Sequence, residues 1–165
     1  MVIQNTDQET KHQETPVLYN PEHLKLALSG EKNLRNTDLR YADLQEAYLV
    51  GANLIGANLT GANLSETILS RANLQGASLQ EVSLKEASLR GANLTGANLT
   101  EVNLTGANLT GANLTEANLS HANLSHANLS HVNLTNTYLD GVHYNTKTIW
   151  PKDFDPKAAG AVLVE

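Results

Sequence analysis

From Leu34 a leucine stands at every fifth position as far as Leu139, 22 times in succession. Two residues before each is a small side chain, usually Ala, as at Ala52, Ala57 and Ala62, with Val82, Val102, Val132, Thr37, Thr67 and Thr137 as variants and Lys32 the one departure in character. A period of five suits neither regular element. On an α-helix the leucines would wind around every side, and on a straight strand an odd period would throw them alternately to opposite faces. The chain therefore bends once per pentad. If each pentad is a short extended side followed by a corner, the small residue and the leucine point inward together and the other three positions point out. Stacked coils then pair their backbones and share one core.

The runs GANLTGANLTEVNLTGANLTGANL and YADLQEAYLVGANL resemble the pentapeptide-repeat family, whose pattern is A(D/N)LXX, and the resemblance extends from Glu31 to about Tyr144. It implies an all-β fold, a right-handed quadrilateral β-helix with four pentads to each coil, hence about 5.5 coils and a rod roughly 26 Å long at ~4.8 Å per layer.

Within that four-sided geometry residues 20 apart stack. Val82 and Val102 fall in adjacent layers of one side. Tyr48 and Ile68 replace the outward Asn or Asp and form an exposed apolar ladder with Val50 beside it. Glu46, Glu66 and Glu86 fill one corner column in three successive layers, with Lys85, Arg71 and Arg90 expected near enough to offset their repulsion. These six, Tyr48, Val50, Ile68, Glu46, Glu66 and Glu86, are the expected partner-binding surface. Gly at the last pentad position, as at Gly51, Gly56 and Gly61, fits the third residue of a type II turn, which needs positive φ. Corners carrying Glu, His, Arg, Tyr or Asn are expected to use a different turn. Outward Asn residues are expected to stack as amide ladders between layers.

The ends need covers, because a β-helix end is an open edge. Residues 1–18 lack an apolar period and read as a disordered tail. Residues 19–30 read as a capping helix, with Asn20 as N-cap, Pro21 first in the helix, Leu24 and Leu28 facing the coil and Gly30 as the stop. The β-helix occupies 31–145. Residues 146–165 read as a carboxyl-terminal cap and tail built on Ile149, Trp150 and Phe154, and WPKDFDP resembles the segment that follows the repeats in some cyanobacterial family members.

Charge and composition then exclude chemistry. The net charge of -6 argues against direct nucleic-acid or anionic-membrane binding. With no Cys, thiol catalysis and thiolate metal sites are ruled out. The polar start lacks the order of a secretory signal and no apolar run is long enough to span a membrane, so a cytoplasmic location is expected. Eleven Asn-x-Ser/Thr triplets are a by-product of the repeat and not glycosylation sites. His121, His126 and His131 sit at successive corners, diverge, and cannot meet one zinc ion. No nucleophile, phosphate-loop or zincin motif occurs, so neither enzyme activity nor a cofactor is expected.

The expected function is that of a non-enzymatic rigid scaffold for an unidentified protein partner, as a monomer or an end-to-end dimer. The alternative is a DNA-mimic modulator of DNA gyrase, as in the quinolone-resistance members of the family. Duplex DNA would carry on the order of 15 charges over ~26 Å. Residues Glu31 to Asp140 hold 10 acidic and 6 basic side chains, and between Gly91 and Leu139 only Glu101 and Glu116 are charged, His aside. That is poor mimicry.

Overall fold

The computed structural model describes residues 18–165; apart from Leu18, the tail expected at 1–18 lies outside the described residues. Helix α1, Pro21–Leu28, leads into a stack of layers held by parallel single-residue bridges, followed by two short strands, β1 at His143–Tyr144 and β2 at Val162–Leu163. From Asn33↔Asn53 to Asn123↔His143 the bridged residues are always twenty apart. With a corner every fifth residue, four pentads separate one layer from the next.

One pentad accounts for its own backbone donors, as any segment withdrawn from water must. In Ala57-Asn58-Leu59-Thr60-Gly61, the Ala57 N–H closes a turn onto Leu54 O (3.0 Å). Asn58 N–H donates to Thr37 O in one neighbouring layer, and Leu59 N–H and Gly61 N–H donate to Ser78 O and Gln80 O in the other. The fifth donor, Thr60 N–H, is taken by the Asn58 side-chain oxygen at 3.1 Å. The same local bond recurs from Asn53 to Asn133. Outward Asn residues thus fold back onto their own turn, as Asx turns do. The expected amide ladders reduce to isolated rungs, Asn63 to Asp43 and Asn93 to Asn73, both 3.2 Å. A side-chain oxygen two residues away accepts from a donor for which the neighbouring layers offer no carbonyl.

The turn itself is uniform. Every corner from Asn36 to Gly141 has positive φ, between 53° and 70°, whether or not it is glycine. With the Ala47 N–H to Leu44 O bond closing Leu44-Gln45-Glu46-Ala47 and φ of 59° at Glu46, the non-glycine corners are type II turns as well. This corrects the expectation of a second turn type. The Glu46 N–H is bonded to Ser65 O in the next layer (3.0 Å), so stacking imposes one corner geometry at every level. Each non-glycine corner bears roughly 1–2 kcal/mol of left-handed strain.

Inside, the leucines from Leu34 to Leu129 are shielded from solvent and the alanines fill the space between them. A polar side chain is admitted only where a carbonyl awaits it. Thr67 and Thr137 donate to Leu44 O and Leu114 O (2.9 and 2.8 Å), and Thr37 donates to Leu34 O (2.8 Å).

At the amino end α1 replaces a missing layer. Asn20 caps the helix by accepting from Glu22 N–H (3.0 Å), while its own N–H donates to Asp38 O (3.1 Å). His23 Nδ1 accepts the Asp38 N–H at 2.9 Å. Arg40 binds both Asp38 carboxylate oxygens (2.8 Å each), and these bonds hold that carboxyl below its ordinary range. Leu24 and Ala27 pack toward the core, whereas Leu28 is 59% exposed and covers nothing; two helical turns present too narrow a face for it.

At the carboxyl end Tyr144 takes the next central position. After a one-residue shift, Asn128↔Ile149, Trp150 takes the one beyond, so Ile149 points outward at 52% exposure. Trp150 meets Tyr144 edge-on at 5.4 Å and stacks on Phe154 at 5.3 Å. Strand β2 then adds a parallel rung on β1, His143↔Val162 and Tyr144↔Leu163.

Candidate interaction face

One side of the stack runs through residues 47–50, 67–70, 87–90 and 107–110. It gathers the residues expected to bind a partner. Tyr48 and Ile68 are bridged neighbours, 63% and 40% exposed, and Ile68 is bridged in turn to Ser88. The ladder exists because a side chain at the Asn position points away from the core; Tyr or Ile there carries no acceptor that can fold back onto the turn N–H two residues on, and it stays in solvent. Lys32 Nζ lies 5.3 Å from the Tyr48 ring centre at the amino-terminal end of the ladder. Ser70 and Ser88 hydroxyls bond at 3.0 Å across the same face.

Glu46, Glu66 and Glu86 form the corner column along one edge, with φ of 59°, 61° and 58°. Of the three cations expected to offset them, only Lys85 is close, 3.6 Å from Glu86. Arg71 and Arg90 instead line an open groove at the opposite edge, together with Val50, Ser70, Gly91 and Thr110. Arg71 N–H donates to Arg90 O (2.8 Å), so the two guanidinium groups rise from adjacent layers. Among the described residues neither is in an ion pair. Position arithmetic could have found this: residue 71 is one corner beyond residue 66, on the far side of the face.

The face is therefore ordered across its width as acid, apolar, base. Along its length the acidic column ends, because Gly106 and His126 follow Glu86 at the same corner. His121, His126 and His131 occupy three separate columns, and the His121 ring leans over Gly141. Among the described residues no group of three or more His, Asp or Glu side chains is placed to hold a metal ion, and no helix is long and apolar enough to cross a membrane.

A family model described as pentapeptide repeats matches in 8 copies over residues 33–71, 67–106 and 107–143. HetL, a pentapeptide repeat protein involved in heterocyst differentiation regulation from the cyanobacterium Nostoc sp. strain PCC 7120, is 34% identical, with 70% of this chain and 60% of HetL covered and a TM-score of 0.55. A pentapeptide repeat protein from the cyanobacterium Cyanothece 51142 is 40% identical over 63% of this chain and 64% of its own, at TM-score 0.33. QnrB1, a plasmid-mediated fluoroquinolone resistance protein, is 16% identical over 75% and 82% at TM-score 0.41. Likenesses at the last two TM-scores support no inference. The chain spans less than two thirds of the length of the first two, and no curated protein matches it.

Proposed function

The chain belongs to the pentapeptide-repeat family, and on that premise we propose that it is a non-enzymatic right-handed quadrilateral β-helix serving as a rigid scaffold, with the Tyr48/Ile68 side as its docking face for another protein. The observation that carries this reading is the apolar ladder. Two large side chains stand out on a face otherwise lined by Val50, Ser70, Ser88, Arg90, Asn108 and Thr110, and they are carried on backbone bonded between layers (Ile68 N–H to Ala47 O, Leu49 N–H to Ile68 O), so docking costs little ordering entropy. Both flanking edges are charged, which supplies orientation.

A catalytic role has no comparable support: the grooves at Arg71/Arg90 and at Glu116/Tyr138 are open, and neither holds a base beside a nucleophile with an orienting third group. Gyrase mimicry would draw on the Glu46/Glu66/Glu86 column, but three carboxylates followed by Gly106 and His126 make a short acidic strip. The test of the scaffold is an affinity capture from the source organism comparing wild type with Tyr48→Ser/Ile68→Asn. Loss of a captured protein is expected; an unchanged set removes this face as the docking site.

A further inference from the structure

Resting on the reading of this side as a docking face, we infer that its occupant is a second copy of the same chain, aligned parallel. The argument is the order of charge across the face. Glu66 and Arg71 bound the same layer, with Thr67, Ile68, Leu69 and Ser70 between them; Glu86 and Arg90 bound the next. Turning a copy by a half-turn about the long axis of the stack exchanges the two edges while keeping every layer at its own height. Glu66 then meets Arg71 of the other copy, Glu86 meets Arg90, and each pair forms twice because a two-fold contact is isologous. Ile68 faces Ile68 and Tyr48 faces Tyr48 in the middle. The antiparallel alternative sets base against base and acid against acid, and is rejected by the same charges.

The remaining charges on the face fit this arrangement. Lys85, 3.6 Å from Glu86, lies outside the acidic edge. Lys32 stays with Tyr48 at the amino-terminal rim. Arg71 and Arg90 are the cations at the basic edge of this face, and among the described residues neither is in an ion pair. An external partner would need the complementary order of base, apolar and acid at the same layer spacing, which a second copy provides without further assumption. The contact spans three layers of ~4.8 Å, well short of the ~800 Å² per partner of a standard interface, so the dimer is weak and salt-sensitive.

Sedimentation equilibrium of the full chain tests this at ~100 μM protein. A monomer–dimer equilibrium is expected whose dissociation constant rises at least tenfold between ~0.05 and ~0.5 M salt. Arg71→Glu/Arg90→Glu alone and Glu66→Arg/Glu86→Arg alone should be monomeric, and their equimolar mixture should restore the dimer. That restoration requires both variants to be folded. A wild type monomeric at low salt, variants that still dimerise singly, or a mixture that stays monomeric would each overturn the second-copy inference. If wild type is monomeric while Tyr48→Ser/Ile68→Asn still loses a captured protein, the scaffold stands and only the identity of its occupant fails. If both tests fail, the face has no docking role.

Discussion

At the scale of single residues the corner decides what the repeat tolerates. Every corner needs positive φ, yet only some are glycine, and the others are Glu, His, Arg, Tyr or Asn. None is Val, Ile or Thr, although Thr is common one position earlier. β-Branched side chains are the ones that fit left-handed backbone worst, so their absence was a legible sign that all corners share one turn. Glycine has a second role where the corner side chain of the previous layer leans over it. At Gly61 an added Cβ would come within 2.5 Å of Tyr41 Cδ1, whereas at Gly96 it would meet nothing. Gly96→Ala should therefore cost only the backbone strain, about 1 kcal/mol. Gly61→Ala should cost measurably more, because the Tyr41 ring must leave. Denaturant unfolding of Tyr41→Ala, Gly61→Ala and the double variant separates these. The excess should vanish when Tyr41 is already Ala, and strictly additive losses would refute the ring contact.

At the scale of elements, legibility falls where the repeat ends. The coil was readable because each pentad solves the same problem in the same way, and the bridges Tyr48↔Ile68 and Ser83↔Asn103 confirm the stacking inferred from pairs twenty apart. Helix α1 was readable from Asn20, Pro21 and Gly30, local signals that act within one turn of the chain. Which of its leucines packs was not, because Leu24 and Leu28 differ only in how far the coil surface reaches. The rung at Val162–Leu163 left no local sign either, since it depends on a partner 19 residues earlier. The Arg71/Arg90 edge was missed for a different reason: opposite charges near in sequence invite pairing, but the width of the face lies between them.

The same scale gives the cap a testable contact. His23 Nδ1 takes the Asp38 N–H, which in any later layer would be bonded to the coil before it. His23→Ala should open that amide at a cost of about 0.5–1.5 kcal/mol, with Asp38 exchanging at least several-fold faster. Asn58, whose N–H is held by Thr37 O inside the stack, should be unaffected. Unchanged protection at Asp38 would mean that the helix does not close this edge.

At the scale of the whole molecule the bridges join each layer only to the next, so stability is carried along one dimension. A defect should then matter according to where it lies. Leu84, fully enclosed in the middle of its column, has layers on both sides that depend on it. Leu84→Ala should cost roughly 2–5 kcal/mol, with the upper part of that range favoured because a close-packed Leu/Ala interior bridged on every side cannot collapse onto the gap. Leu139 is also buried, at 4% exposure, but stands next to the carboxyl-terminal layer. The same truncation there should loosen the rungs at His143 and Val162 while leaving Asn73 to Asn103 protected. Amide exchange followed along the sequence distinguishes the two. A uniform rise in exchange for Leu139→Ala would mean that the stack unfolds as a single cooperative unit, and a rise confined to its end would establish that layers are lost singly from the rim.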